Sequence, residues 1–297
     1  MRKGLLIYNP RSGQRVIGQQ LDSLLQYALS RDLYLLPIRM EFGGSSDEVP
    51  REMLLQPWVE LVVVSGGDGT LSAVAQEILN LRPEMPMGII PSGTCNDFAE
   101  SLRLPQDERD CIDVVAEGNA VALDVGRVNG EKLFLSTCAA GMFVSVSFKT
   151  NSEMKKGLGP LAYYFQALGE LTKIRSFPMR IETETEVFED EVFLFLILNG
   201  TQAAGFPNMY AKARMHDGLM DMIIIRKCPP LETGMLLFEL LNRDHLDGKW
   251  IKHIQAQRFH ISSSEKVVTT LDGEKGMDLP FDIEVQSQAL SVFVTPR

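Results

Sequence analysis

The chain has 297 residues, 45% of them hydrophobic and 23% charged, an ordinary globular composition at a length that favours two domains over one. Its formal net charge of −10 excludes a nucleic-acid binder, which needs basic surface to displace counterions, and a membrane binder held by whole-surface electrostatics. The longest apolar run, Val192 to Leu198, falls far short of the roughly 20 residues that span a bilayer, and Leu5 to Tyr8 is too short for a signal-peptide core. A cytoplasmic protein is expected. The cysteines and histidines are scattered and show no metal-site spacing.

The first part alternates strand and helix. Strands are predicted at Gly4 to Tyr8, Leu33 to Ile38, Leu61 to Val64 and Met87 to Ile90. Helical spacing runs from Val16 to Leu29 and from Leu71 to Leu81, with a short helix from Asp47 to Leu55 capped by Ser46. This alternation predicts a doubly wound parallel sheet, in which ligands bind beyond the carboxyl ends of the strands. After about residue 120 the pattern changes. Strands are predicted at Ala120 to Val128, Lys132 to Thr137, Met179 to Thr183, Glu186 to Asp190, Val192 to Leu198, Leu219 to Ile225, Arg258 to Ser263, Val267 to Leu271, Asp282 to Val285 and Leu290 to Val294. Helices are expected only at Leu158 to Thr172 and Gly234 to Leu241. Many strands with few helices predict an antiparallel sandwich, with the boundary near Gly126.

The most informative stretch is Ser65-Gly66-Gly67-Asp68-Gly69-Thr70-Leu71-Ser72, directly after a buried-type strand. Glycines permit positive φ and close approach of backbone to a ligand, and free amides at the following helix start suit phosphate. Asp68 would repel a bare phosphate, so it points to a cation such as the Mg²⁺ that accompanies a nucleotide. An ordinary strand-to-helix turn is the alternative.

Two further loops sit at strand ends. Asn9-Pro10-Arg11-Ser12-Gly13 offers a hydroxyl and glycine backbone to phosphate oxygens, or is a plain Pro/Gly turn. In Pro91-Ser92-Gly93-Thr94-Cys95-Asn96-Asp97, Thr94 can meet a phosphate, while Asn96 or Asp97 can cap a helix. His216-Asp217-Gly218-Leu219 reads as a turn or as a carboxylate with carbonyls for Mg²⁺. Asp272-Gly273-Glu274 reads as a hairpin turn or as a general base beside a hydroxyl. The stretch from Lys149 to Arg180 is locally basic with interleaved aromatics, and is either a solvated helix face or a contact for an anionic membrane.

Taken together and in order, these motifs resemble the diacylglycerol kinase catalytic-domain family, in its bacterial soluble lipid kinase branch, related to sphingosine and ceramide kinases. The resemblance runs from Asn9-Pro-Arg-Ser-Gly13 through Asp124-Val-Gly126 and Asn199-Gly200 to Asp272-Gly-Glu274. It implies a nucleotide-binding α/β domain of NAD kinase and diacylglycerol kinase type over residues 1–126, rejoined by the returning segment 288–297. It also implies a β-sandwich over 127–287 carrying the lipid and Mg²⁺ site. By the same resemblance, Asn9 to Gly13, Gly66 to Ser72 and Thr94 contact ATP. Asp217 ligates a structural Mg²⁺ with the carbonyls of Arg214 and Leu219. Glu274 is the proton acceptor with Asp272 as its rival, and Asp68 acts through Mg²⁺. The implied protein is an ATP-dependent lipid kinase, peripheral to the inner face of the membrane and dimeric. A kinase for a small soluble alcohol such as NAD, and a catalytically silent lipid-binding protein, are the other readings. The chain departs from the family pattern at Arg39-Met40-Glu41-Phe42, where relatives carry a threonine, and at Ala211, where a proline is common.

Overall fold

The four residues Leu5, Leu6, Ile7 and Gly4 that open the first apolar run are buried in a strand, β1 (Arg2–Tyr8), at the middle of a parallel sheet. The computed structural model describes residues 1–10, 12, 17–40, 49–141, 175–205, 209–229, 232 and 248–296. The chain divides into two compact units, Met1–Val125 with Ser287–Arg297, and Gly126–Gln286.

In the first unit, β2 (Leu33–Arg39), β3 (Leu61–Gly66) and β4 (Met87–Pro91) join β1 in the order β2-β1-β3-β4, all parallel. Every residue of β3 and β4 is buried, as expected for strands covered on both faces. The helices are α1 (Ile17–Ser30), α2 (Arg51–Leu54), α3 (Asp68–Leu81), α4 (Asp97–Ser101) and α5 (Glu108–Glu117). From β1 the chain moves outward to β2, and from β3 it moves the other way to β4. Right-handed crossovers therefore place α1 and α3 on opposite faces, and the order reverses between β1 and β3. Such a reversal opens a crevice at the carboxyl ends of those two strands. The end of the long last strand, β15 (Phe281–Phe293), lies parallel to β4, with Val292 opposite Met87. Buried Asp124 fixes this return: its Oδ1 accepts a bond from the Gln288 amide at 2.7 Å.

Two expectations need correcting here. The helix predicted from Leu71 begins at Asp68, so Asp68, Gly69 and Thr70 form its first turn. Helix α5 was not expected, because four acids crowd residues 107–113 and obscure its period. Its signals are nevertheless present: Asp107 caps it by accepting from the amides of Arg109 and Asp110, and Gly118 ends it at φ 76°. The Arg2 guanidinium donates to the carbonyls of Val115 and Ala116, placing a cation at the negative end of α5.

Among the described residues, the strands paired within the second unit are antiparallel. This unit takes the end of β5 (Ala120–Val128), then β6 (Lys132–Phe134), β7 (Thr137–Gly141), β8 (Phe177–Glu182), β9 (Val187–Leu198), β10 (Met220–Arg226), β11 (Ile251–Ala256), β12 (Arg258–Ser262), β13 (Thr269–Leu271), β14 (Glu274–Lys275) and the start of β15. Alternating residues of these strands enclose one apolar core that includes Phe134, Phe195, Phe259 and Phe281. Each such side chain contributes roughly 1.5–3 kcal/mol relative to exposure. The segments predicted as two strands around Glu191 are one, since β8 pairs across Glu191 on one side and β10 continues the ladder on the other. Conversely, the strand predicted from Lys132 to Thr137 is broken at Leu135-Ser136, whose amides turn to a side chain instead. The helices expected at 158–172 and 234–241 lie outside the described residues, as does the Ser46 cap.

Candidate active site

Three strand-end loops of the first unit close on one another. The Asn9 amide donates to the Ser65 carbonyl at 2.9 Å, and the Ser92 amide donates to the Gly66 carbonyl at 3.0 Å. Asn9 Nδ2 also donates to Thr70 Oγ1 at 3.1 Å, joining the β1 loop to the first turn of α3. The glycines here are needed for contact, not for positive φ. None of Gly66, Gly67, Gly69 or Gly93 has a left-handed backbone. A Cβ on Gly66 would meet Thr70 Cβ at 2.5 Å, and one on Gly93 would meet Gly67 Cα at 2.5 Å. The reading of these residues as positive-φ turn formers is therefore replaced by close packing of two loops.

Asp68 bridges the same loops. Its Oδ1 accepts a hydrogen bond from the Phe98 amide at 3.1 Å, at the start of α4. Burial pushes its carboxyl above the ordinary aspartate value, while the backbone amides of Phe98, Asp97, Asp68 and Asn96 pull the other way. Asn96 does not cap α4 with its side chain, contrary to expectation. It sits at φ 56° and folds back, its Oδ1 accepting from the Gly93 amide at 2.7 Å and its Nδ2 donating to the Gly93 carbonyl at 3.3 Å. Asp68 takes over one of the α4 amides instead. The first intrahelical bond of α3 runs from the Leu71 amide to the Gly67 carbonyl, so the amides of Gly69 and Thr70 precede it, and such amides suit an anion. Around it, Leu71 and Thr70 are buried, Ser72, Gly69, Pro10 and Ser12 are half-buried, and Thr94 is exposed. The Ser12 amide donates to the Asn9 carbonyl at 3.2 Å, closing a turn. Arg11 and Gly13 lie outside the described residues. A cavity of about 380 Å³ opens behind Ser92, Gly93 and Asn96, against α1 and the start of α5. Its lining takes in Ser92, Gly93 and Asn96 of the third loop but not Asn9, Asp68, Thr70 or Thr94.

The second unit holds two more of the expected groups. Asp272 and Gly273, at φ 48° and φ 79°, form the two-residue turn between β13 and β14, with Leu271 opposite Glu274. Positive φ at both positions is the hairpin geometry that an Asp-Gly pair favours. Asp272 is buried, and its carboxylate accepts from the amides of Leu135 at 2.7 Å, Ser136 at 2.8 Å and Thr137 at 2.9 Å. Buried Asn199 supports the same backbone from the other side, donating from Nδ2 to the Leu135 carbonyl at 2.8 Å. Glu274 as a residue is exposed, yet partial burial of its carboxyl pushes its pKa up, with the Lys132 charge pulling it down. The amide nest at Leu135–Thr137 had no signal in the sequence beyond the strand it interrupts.

Asp217 is exposed, and its Oδ1 accepts from the Leu219 amide at 3.1 Å. Gly218 at φ 77° turns the chain there, and Arg214, earlier in the same segment, is exposed. Among the described residues no three His, Cys, Asp or Glu side chains gather as a metal cage. A cation at Asp217 would rest on one carboxylate and carbonyl oxygens, a hard donor set suited to Mg²⁺, which keeps several waters. The locally basic 149–180 stretch lies mostly outside the described residues. Of its described members, Arg180 is paired with Glu182 and Glu189, both at 3.0 Å. No helix among the described residues is long and apolar enough to cross a membrane.

A switch-point sheet with interlocked glycine loops, followed by an antiparallel β unit with a buried carboxylate turn, defines an α/β protein of two units. Comparison with known proteins gives the family. A model of the diacylglycerol kinase catalytic domain matches residues 3–128, and a model of the YegS C-terminal NAD kinase beta sandwich-like domain matches residues 136–294. A diacylglycerol kinase of Staphylococcus carnosus is 31% identical over 296 residues, spanning 100% of this chain and 96% of that protein. One of Staphylococcus saprophyticus is 32% identical over 298 residues, again spanning 100% and 96%. The solved structure of a candidate diacylglycerol kinase from Bacillus anthracis has a TM-score of 0.80 at 25% identity and covers 99% of this chain and 98% of its own. The chain belongs to the diacylglycerol kinase family, and it is a kinase with an α/β domain and a β-sandwich domain.

Proposed function

We propose that this kinase transfers the γ-phosphoryl group of ATP to the hydroxyl of diacylglycerol, at the inner face of the membrane. The observation that carries this reading is the interlocking of the Asn9, Gly66–Thr70 and Ser92–Asn96 loops at the carboxyl ends of β1, β3 and β4. Such loops present backbone amides and hydroxyls to phosphate oxygens, and phosphoryl transfer depends mostly on positioning and electrostatics. The relatives act on diacylglycerol by name, and the chain spans almost their full length.

The two units each carry one part of the chemistry. In the first, the amides opening α3 and the hydroxyls of Thr70, Ser72, Ser12 and Thr94 bind the phosphates of ATP. Asp68 holds the β3 and β4 loops in register by taking the Phe98 amide. Asp68 would help to hold a Mg²⁺ bound with the nucleotide, which would offset phosphate charge, and Asp217 with the carbonyls of Arg214 and Leu219 would hold a second ion. In the second unit, Glu274 takes the proton from the acceptor hydroxyl as its oxygen attacks the γ-phosphorus and ADP leaves. Its raised pKa makes it a stronger base than an ordinary glutamate. Asp272 has its oxygens engaged with three backbone amides, so it anchors the turn that presents Glu274. The acyl chains of the acceptor keep the reaction at a bilayer surface, and the working form is a homodimer.

Labelled ATP with a panel of diacylglycerol, phosphatidylglycerol and NAD, with and without Mg²⁺, tests this reading. Label in the diacylglycerol product, dependent on Mg²⁺, is expected. Label in NAD alone would replace the lipid by a soluble alcohol, and lipid binding without label would mark a silent lipid-binding protein.

A further inference from the structure

The segment between β9 and β10 runs over the face of the β9–β10–β11 ladder that is turned away from the main core. Here Leu198, Ala203 and Ile223 are buried, with Met209, Tyr210, Leu196 and Ile251 packed on them. One polar pair sits on this apolar face. His253 Nε2 lies 2.7 Å from Asp221 Oδ1, and the Asp221 side chain is only 2% exposed against 30% for the imidazole. A carboxylate only accepts, so Nε2 donates. The two residues are diagonal neighbours across antiparallel strands, since Asp221 faces Gln255 and His253 faces Ile223. The same imidazole also meets the Tyr210 ring, tilted, at 4.7 Å between centroids and 37° between planes.

Tyr210 and Asp221 flank one loop, Asp221 as the second residue of β10, already paired with Leu198 of β9 and Gln255 of β11. Within the loop, the Ala213 amide donates to the Tyr210 carbonyl at 3.1 Å, Ala213 and Met215 are buried, and the Asp217 side chain takes the Leu219 amide at 3.1 Å. This is the loop that holds Arg214, Asp217 and Leu219. A single imidazole therefore joins Tyr210, on one side of the loop, by a tilted ring contact, to Asp221 of the strand that follows it, by a buried hydrogen bond. Holding these two residues together removes loop freedom that would otherwise be lost on ordering the turn. Residues that orient metal-binding groups without touching the ion typically change affinity by about 10–100-fold when lost.

We propose that His253 is a positioning residue of the candidate cation turn, closing the Tyr210–Asp221 loop so that Asp217 and the carbonyls of Arg214 and Leu219 are held ready for a hard divalent cation. The idea rests on the Mg²⁺ reading above for its ligand but not for its geometry.

The test compares full-length wild type, His253→Ala and His253→Gln by hydrogen exchange of the 211–219 amides and by thermal melting against MgCl₂. In His253→Ala, exchange across 211–219 should rise about tenfold with or without Mg²⁺, as loss of one hydrogen bond to a charged group implies. The MgCl₂ concentration giving half the melting shift should rise by about tenfold or more. His253→Gln, which keeps a donor, should lie between. Unchanged exchange across 211–219 in His253→Ala overturns the proposal. So does a lower melting temperature with an unmoved MgCl₂ midpoint, which would make His253 a packing residue only. If wild type itself shows no melting response to MgCl₂, the Mg²⁺ reading of the turn falls, and the exchange arm alone decides the loop closure.

Discussion

At the scale of single residues, two acids a glycine apart have opposite lives. Asp272 accepts three backbone amides in a buried turn, while Glu274 stands exposed with its carboxyl partly desolvated. Glu274→Gln should lower kcat by about 10²–10⁴ with little change in KM for ATP, because only the basic carboxylate is lost. Asp272→Asn should instead lower stability by about 1–3 kcal/mol, since the new amide group would face the donors of Leu135–Thr137. Parallel turnover and denaturant unfolding separate the two; an Asp272→Asn protein that is fully stable but inactive would return the base to Asp272. Asp68 supplies a pH test. Its pKa is raised above the ordinary 3.8 by burial, so the folded state keeps this proton longer than the unfolded state does. The stability it contributes is complete below 3.8 and is lost as pH rises through the folded value. Asp68→Asn should flatten that decline in melting temperature while turnover falls about 10²–10³-fold. A variant that melts with the same pH slope as wild type would show that another group sets the slope.

At the scale of elements, the contact between two loops decides the candidate nucleotide site. Gly67 and Gly93 meet backbone to backbone, and Asn96 holds Gly93 from both its amide and its carbonyl. Gly93→Ala puts a Cβ 2.5 Å from Gly67 Cα and 2.7 Å from Asn96 Oδ1. Neither the backbone nor a bonded amide yields cheaply, so the start of α3 must shift. We expect ATP affinity to fall at least tenfold with a smaller loss of stability, on the order of the 1–3 kcal/mol of an overpacked position. Calorimetric ATP titration beside thermal melting checks this; wild-type affinity in a folded variant would place the nucleotide on other loops. On the second unit, Asp217→Ala should blunt the rise in melting temperature produced by MgCl₂, a ligand effect worth roughly 2.7 kcal/mol at 100 times its Kd. An equal response in both proteins would reduce Asp217-Gly218-Leu219 to a turn held by the Leu219 amide.

At the scale of the whole molecule, the parallel or antiparallel character of each sheet was open to a reader of the chain, and the order of its strands was not. Apolar runs alternating with helical spacing led to a parallel sheet, and the strand-rich second half led to an antiparallel one, because burial on two faces or one leaves a different period in the side chains. The loops that carry the candidate chemistry stood out by their glycine, hydroxyl and acid content at strand ends, although each could equally be read as an ordinary turn, which Asp272-Gly273 is. What the chain could not disclose is which polar group meets which. That Asp68 serves the α4 amide, that Asn96 turns back on Gly93, that Asp272 gathers amides from Leu135, Ser136 and Thr137, and that His253 fastens both Tyr210 and Asp221 are facts of long-range geometry. Local sequence determined the elements because propensity and periodicity act over neighbouring residues. Only the tertiary structure decided the partners, because a buried amide or carboxylate must be satisfied by whatever the fold brings beside it, however distant in the chain.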